Sequence, residues 1–155
     1  PGRGSLDGDL ALLNLKNGLN VSSRIWIGGA NSTSSLPVSG VGSAAVGQKL
    51  CFSGAVTGES CAFTVTAIGA QVTYPKGTVR PAVQSISFAA HCSANGDSGA
   101  PVYLKGSSSV TAIGILSGGG GGGSDNYGGA LDPCSMVFTN IQQAYEAFDG
   151  YVPLT

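Results

Sequence analysis

From Val46 onward this chain is cut into apolar runs too short for ordinary helices and spaced by turn-forming residues at near-regular intervals. The runs are Gln48–Ser53, Ala62–Ile68, Gln71–Tyr74, Val83–Phe88, Pro101–Lys105, Val110–Leu116 and Cys134–Thr139. Thr, Val, Ile, Phe and Tyr populate them, residues that fit a pleated, half-buried surface. The pattern predicts an all-β fold, an antiparallel barrel or sandwich. Composition agrees: 26 glycines in 155 residues and only 10% charged side chains suit a β-rich extracellular domain with many tight turns. The length allows one good core and argues against two complete barrels.

Upstream, Leu10-Ala-Leu-Leu-Asn-Leu15 reads as a buried strand, and Arg24-Ile-Trp-Ile27, closed by Gly28-Gly29, as a second one. Residues 30–45, rich in Ser, Gly, Ala and Pro, read as an exposed connector between packed units. Units of 1–29 and 46–155 are therefore expected on either side of it. Near the end, Ile141, Ala144, Tyr145 and Phe148 recur at spacings of three and four. They predict one face of a short packing helix with Asn140 as its N-cap. The six glycines Gly118–Gly123 lack the lysine and the following helix of a phosphate loop. From Gly120 onward they read as a flexible surface loop. Ser117, Gly118 and Gly119 instead read as a strand edge on which an extended peptide could pair its backbone.

A net charge of −1 and a pI near 5.6 give no electrostatic case for nucleic acid or an anionic membrane as partner. No apolar run reaches the length of a membrane span. Pro1-Gly-Arg-Gly-Ser-Leu6 has neither the charged nor the apolar region of a signal peptide. The expectation is a mature chain, or one whose N-terminal part is missing. Four cysteines allow three pairings. Cys51 and Cys61 flank turn-forming Ser53-Gly54 and Thr57-Gly58, which suits a hairpin staple and leaves Cys92 with Cys134. An oxidising, extracellular location follows. No C-x₂-C pair or histidine cluster offers a metal site. Sequons at Asn20 and Asn31 are common chance triplets.

The chemistry-bearing stretch is Asn95-Gly96-Asp97-Ser98-Gly99-Ala100-Pro101. Gly96 lets the backbone turn with no Cβ in the way, and Gly99 leaves room behind a nucleophilic hydroxyl on Ser98. Backbone N–H groups of Gly96 and Ser98 would then face a developing oxyanion. The same four residue types also favour an ordinary surface turn.

Cys92-Ser-Ala-Asn-Gly-Asp-Ser98-Gly resembles the nucleophile loop of chymotrypsin-like serine peptidases, with the Cys-to-Ser spacing of the streptogrisin branch. Cys51-Phe-Ser-Gly-Ala-Val-Thr-Gly58-Glu-Ser-Cys61 resembles that branch's C-x-S-G-x-x-T-G-x-x-C hairpin. Ala112-Ile-Gly-Ile-Leu-Ser117-Gly118-Gly119 is similar to the strand that lines its substrate cleft. Together these motifs cover roughly residues 46–155. The resemblance implies a chymotrypsin-like double β-barrel, of which this chain holds the end of the first barrel, the second barrel and the C-terminal helix. It also implies the bridges Cys51–Cys61 and Cys92–Cys134.

Gly8-Asp9-Leu10-Ala-Leu-Leu13 resembles the family motif in which Asp directly precedes an apolar strand, so Asp9 is expected to be the buried acid of the triad. The only histidine, His91, follows that Asp, whereas the family order is His, Asp, Ser. The resemblance therefore sets His91 on the side-chain pocket wall with Ala89, Ala90, Ser93, Leu116 and Gly119, and expects the base N-terminal to Pro1. Without it, the chain alone is expected to be inactive. The pocket base carries no carboxylate, which disfavours basic side chains; an apolar side chain is favoured, and protonated His91 would suit an acidic one. Two departures stand out. Ala100 replaces a common second glycine, and Phe52 replaces an arginine that neutralises the loop aspartate. Asp97 is thus expected to need another cation, Arg24, Lys49 or Arg80. The resemblance implies a secreted, monomeric serine endopeptidase acting on peptides or proteins without metal or organic cofactor, in a family whose members are often made with a pro-segment. The alternative is a pseudo-peptidase binding module on the same scaffold.

Overall fold

Among the described residues, eight strands and one α-helix follow in order: β1 (Arg24–Trp26), β2 (Ser35–Val41), β3 (Lys49–Gly54), β4 (Gly58–Thr73), β5 (Val79–Ser87), β6 (Pro101–Lys105), β7 (Val110–Gly120), β8 (Cys134–Asn140) and α1 (Ile141–Ala147), with a single 3-10 turn at Gly123–Asp125. The computed structural model describes residues 8–13, 16, 20–74 and 79–148. Neighbours pair in the order β1-β2-β7-β6-β3-β4-β5-β8, and β8 returns to β7. Six strands, β3 to β8, thereby close a barrel. One edge of β7 serves two partners: Val110–Ala112 carry β2 in parallel, and Gly114–Gly120 carry β8 antiparallel. Closure leaves the six strands no free edge to manage.

Side-chain alternation explains two cores. In β3, Leu50 and Phe52 point into the barrel with Phe63, Val65, Ile113 and Phe138. Cys51, one residue out of step, points outward to Ile25, Val38, Tyr103 and Val110. Successive residues face opposite sides of a strand, so β3 is buried on both faces only because the β1–β2 hairpin covers its outside. In β6 the same alternation puts Val102 in the first cluster and Tyr103 in the second, and the extra residue of the bulge opposite them is Ile113 of β7.

Glu59 stitches the outer layer together. Its carboxylate accepts from Tyr103 Oη at 2.7 Å, Lys105 Nζ at 2.8 Å and Gly28 N at 3.1 Å. Burial raises its pKa, but the hydrogen bonds from Lys105, Tyr103 and Gly28 win and hold it below its ordinary value. Burial, reinforced by Glu59, pushes the Tyr103 phenol far above its ordinary range. Disulfides join Cys51 to Cys61 across the β3–β4 hairpin and Cys92 to Cys134.

Three expectations change. Leu10–Leu13 form no strand, and Leu13 is 82% exposed; residues 14 and 15 lie outside the described residues. A strand needs a neighbour for its N–H and C=O groups, and 10–13 have none among the described residues. The connector expected over 30–45 contains β2, seated through the parallel register Val38↔Val110. The runs Ala62–Ile68 and Gln71–Tyr74 belong to one sixteen-residue strand, β4, for all but Tyr74. Register shifts around Gly69, at φ +68°, absorb the turn signal between them. The helix follows its sequence: Asn140 caps it, with a reciprocal bond from Asn140 N to Gln143 Oε1.

Candidate active site

Two consecutive tight turns build the loop around Ser98. Asp97 N–H donates to Ala94 O at 3.1 Å, and Ala100 N–H donates to Asp97 O at 3.0 Å. The third residue of each turn is a glycine at positive φ, Gly96 at +103° and Gly99 at +87°. A type II turn requires that conformation at its third position. Ser98 therefore stands on an exposed corner. The loop docks on β7: Gly99 N–H donates to Leu116 O at 2.7 Å, Leu116 N–H to Ala100 O at 2.8 Å, and Ser98 Oγ to Ser117 O at 3.4 Å. Gly96 N–H and Ser98 N–H take no part in these bonds and have no acceptor among the described residues.

Asp97 is 1% exposed, and among the described residues no cation pairs with it. Arg24 is bound to Ser35, and neither Lys49 nor Arg80 pairs with Asp97. Instead, Oδ1 accepts from Val56 N at 2.8 Å and Thr57 N at 3.0 Å, and Oδ2 accepts from Ala94 N at 2.9 Å and the Thr57 hydroxyl. Burial raises the pKa of Asp97, but the bonds from Ala94, Thr57 and Val56 outweigh it and hold the carboxyl below its ordinary value. Hydrogen bonding to the charged form alone accounts for that.

The wall expected to receive a substrate side chain is assembled from distant segments. Ala90, Ser93 and Leu116 are buried, and His91, Ser117 and Gly118 are half-buried. Gly119 lies against Ser93: a Cβ there would meet Ser135 O at 2.2 Å and Ser93 Oγ at 2.6 Å. His91 packs edge-on against Tyr127, with ring centroids 4.6 Å apart. Its Nδ1 and Ser117 Oγ are buried with no hydrogen-bond partner among the described residues.

The glycine run, read from Gly120 onward as a surface loop, is exposed at Gly121 and Gly123 but anchored on the pocket wall. After β7 the chain folds back on Ala90–Cys92, with Cys92 N–H donating to Asn126 O and Gly128 N–H to Ala90 O, both at 2.9 Å. Gly122, at φ +82°, approaches so closely that a Cβ would lie 2.5 Å from Cys92 Sγ. Glycine is needed there for conformation and clearance together.

Asp9 departs from expectation. It is exposed rather than buried, and its N–H donates to Thr139 Oγ1 at 3.0 Å. No hydrogen bond joins its carboxylate to His91 or Ser98 among the described residues. The one cluster of metal-ligating residue types among the described residues, Cys51, Glu59 and Cys61, has both sulfurs committed to a disulfide.

The sequence profile described as Trypsin matches residues 1–141. The chain belongs to the trypsin family. Its fold is that of the chymotrypsin-like serine proteases, and its structural neighbours are bacterial members of that group. A glutamic acid-specific serine protease, described as using a novel histidine triad in substrate binding, is similar at TM-score 0.70 and 26% identity, over 95% of this chain and 68% of its own. Thermobifida fusca protease A is similar at TM-score 0.65 and 28% identity, over 85% and 61% of the two chains. Cellulomonas bogoriensis chymotrypsin is similar at TM-score 0.62 and 30% identity, over 85% and 62%. The chain thus spans about two thirds of the first and about three fifths of the other two. No curated protein matches it in sequence.

Sequence reading missed Val56, Thr57 and Ala94 as partners of Asp97, and Asn126 and Tyr127 as supports of His91 and Cys92. Thr57 carried one usable signal, its place at the tip of a stapled hairpin in this trypsin-family chain.

Proposed function

We propose that this chain carries the nucleophile and the substrate-binding wall of a secreted, monomeric serine endopeptidase. Ser98 Oγ attacks the scissile carbonyl and forms an acyl-enzyme, releasing the amine; water then hydrolyses the ester and regenerates Ser98. Gly96 and Ser98 N–H groups receive the oxyanion. The proton passes through a histidine supplied from sequence preceding Pro1, with Asp9 as its orienting carboxylate. The exposure of Asp9 fits an acid whose partner lies outside this chain. Residues 1–29 would then come from a first barrel and 46–155 form the second, with 30–45 joining them although its β2, like β1, packs on the second barrel. Ser117, Gly118 and Gly119 pair with the substrate backbone, and Ala90, His91, Ser93 and Leu116 surround its side chain. With no carboxylate in that wall, an apolar side chain fits best. The glutamate specificity of one similar protein makes an acidic one the rival, with His91 as its anchor.

The observation that carries this reading is Ser98 itself, exposed between two glycines of positive φ in a loop docked on β7, with unengaged N–H groups at Gly96 and at Ser98 itself. One observation favours a non-catalytic binding module: the only histidine packs on Tyr127 and makes no bond to Ser98. Organophosphonate labelling and hydrolysis of a chromogenic peptide separate the two. The isolated 155 residues should show little turnover, and the full-length protein should show both activities. Ser98→Ala should abolish both there, whereas His91→Ala should retain labelling and shift side-chain preference. A full-length protein that neither labels nor hydrolyses, or a fully active Ser98→Ala, refutes the endopeptidase.

A further inference from the structure

The β3–β4 hairpin tip meets the loop of Ser98 from a distance of forty residues along the chain. All three groups it directs at Asp97 are donors, Val56 N–H and two from Thr57, whose N–H reaches Oδ1 and whose hydroxyl reaches Oδ2; Ala94 N–H, from the loop itself, is the fourth. Gly54 completes the fit by omission, since a Cβ there would fall 2.1 Å from Asp97 Oδ1. Val56 also abuts the loop, lying 2.9 Å from where a Cβ on Gly96 would stand.

The tip is itself braced from behind. The Cys51–Cys61 bridge staples its strands. Gly58, at φ +77°, sits so close to the Gly28–Ala30 turn that a Cβ would meet Ala30 N at 2.5 Å. Glu59 N–H donates to Gly28 O at 2.7 Å, and its carboxylate takes Gly28 N–H, Tyr103 and Lys105 in return. A rigid support therefore ends in a set of donors that grips the residue directly before Ser98.

We propose that Thr57 is a positioning residue for Ser98, holding Asp97 in a donor-only cage that stands where a cation was expected. The proposal rests on Ser98 being the nucleophile. A carboxylate can accept all four bonds, whereas an amide of the same shape would set its NH₂ against one of the donors. The hydroxyl of Thr57 is the one cage donor that a side-chain substitution removes without changing the backbone. Placement of a reacting group to within an ångström carries large rate factors. The predicted consequence is a loss in kcat with little change in substrate binding.

The test compares Thr57→Val and Thr57→Ser in the full-length protein. Thr57→Val should lower kcat by about tenfold or more with KM changed by less than about threefold, and Thr57→Ser should restore kcat to within about threefold. Asp97→Asn should resemble Thr57→Val. A second readout needs no catalysis: amide exchange at Asp97 and Gly99 should accelerate in Thr57→Val and stay slow in Thr57→Ser. Thr57→Val with wild-type kcat and unchanged exchange overturns the proposal, and so does a Thr57→Ser as impaired as Thr57→Val. If the wild-type protein neither labels nor hydrolyses, the endopeptidase reading falls, and amide exchange alone then decides the role of Thr57.

Discussion

Adding one methyl group at Gly54 tests how tightly the Ser98 loop is held. The three heavy atoms nearest a Cβ there all belong to Asp97: Oδ1 at 2.1 Å, Cγ at 2.4 Å and Cβ at 2.8 Å. Carbon and its neighbours prefer separations near 3.5 Å, so the carboxylate must retreat by roughly 1 Å or more. Its bonds from Val56 and Thr57 N–H, now 2.8 and 3.0 Å, then stretch beyond hydrogen-bonding range. Each such bond to a charged group is worth about 1.5–3 kcal/mol, and two of them set a loss of about 3–6 kcal/mol. Partial relaxation brings the expected cost of Gly54→Ala to about 3–5 kcal/mol, at the upper end for single substitutions. In a chain of this size that lowers Tm by about 6–20 °C. Thermal and urea denaturation followed by circular dichroism measure it. Gly40→Ala is the control, because nothing lies within 4 Å of its added Cβ, and it should stay within about 0.5 kcal/mol of wild type. In an Asp97→Ala background the Gly54→Ala penalty should shrink, since much of the clash leaves with the carboxylate. A Gly54→Ala protein within about 1 kcal/mol of wild type would refute the account of Asp97 as clamped between hairpin and loop.

The two disulfides should contribute unequally. Replacing Cys92 and Cys134, 42 residues apart, should cost about 4 kcal/mol, against about 2.7 kcal/mol for Cys51 and Cys61; equal losses in urea denaturation would contradict the loop-entropy argument. Stability should also fall at both pH extremes, for different residues. Asp97, held below its ordinary value, stabilises above the unfolded carboxylate pKa of about 3.9 and loses that contribution as pH falls through its folded value. Glu59 adds to the same acid limb. Tyr103, raised by burial and Glu59, stabilises fully below the unfolded phenol pKa of about 10 and loses its contribution at more alkaline pH. Urea midpoints across pH should show Asp97→Asn flattening the acid limb and Tyr103→Phe the alkaline one; unchanged limbs would count against both assignments.

Much of this molecule is written in consecutive residues. The runs that became β3, β6, β7 and β8 are legible because alternation and β-branched composition act over a few neighbouring positions. Asn140 caps α1 because its side chain reaches N–H groups two and three residues ahead. The turns around Ser98 are legible because Gly96 and Gly99 license positive φ wherever the loop sits. The Cys51–Cys61 staple follows from a hairpin that brings its own ends together. The partner of Asp97 is of another kind. A buried carboxylate demands compensation, and sequence reasoning answered with a cation; the barrel answered with three backbone N–H groups and a hydroxyl. Backbone donors carry no residue-type signature, so no pattern of letters announces them. The same holds for β2, which exists because β7 offers it an edge, and for the glycines after Gly120, whose need for clearance comes from Cys92 and Pro133. Leu10–Leu13 have strand-like letters and no strand partner among the described residues. Local dihedral preference and periodicity lie within a segment and can be read there. Edges, clearances and donors belong to pairs of segments, and only closure of the barrel decides which pairs meet.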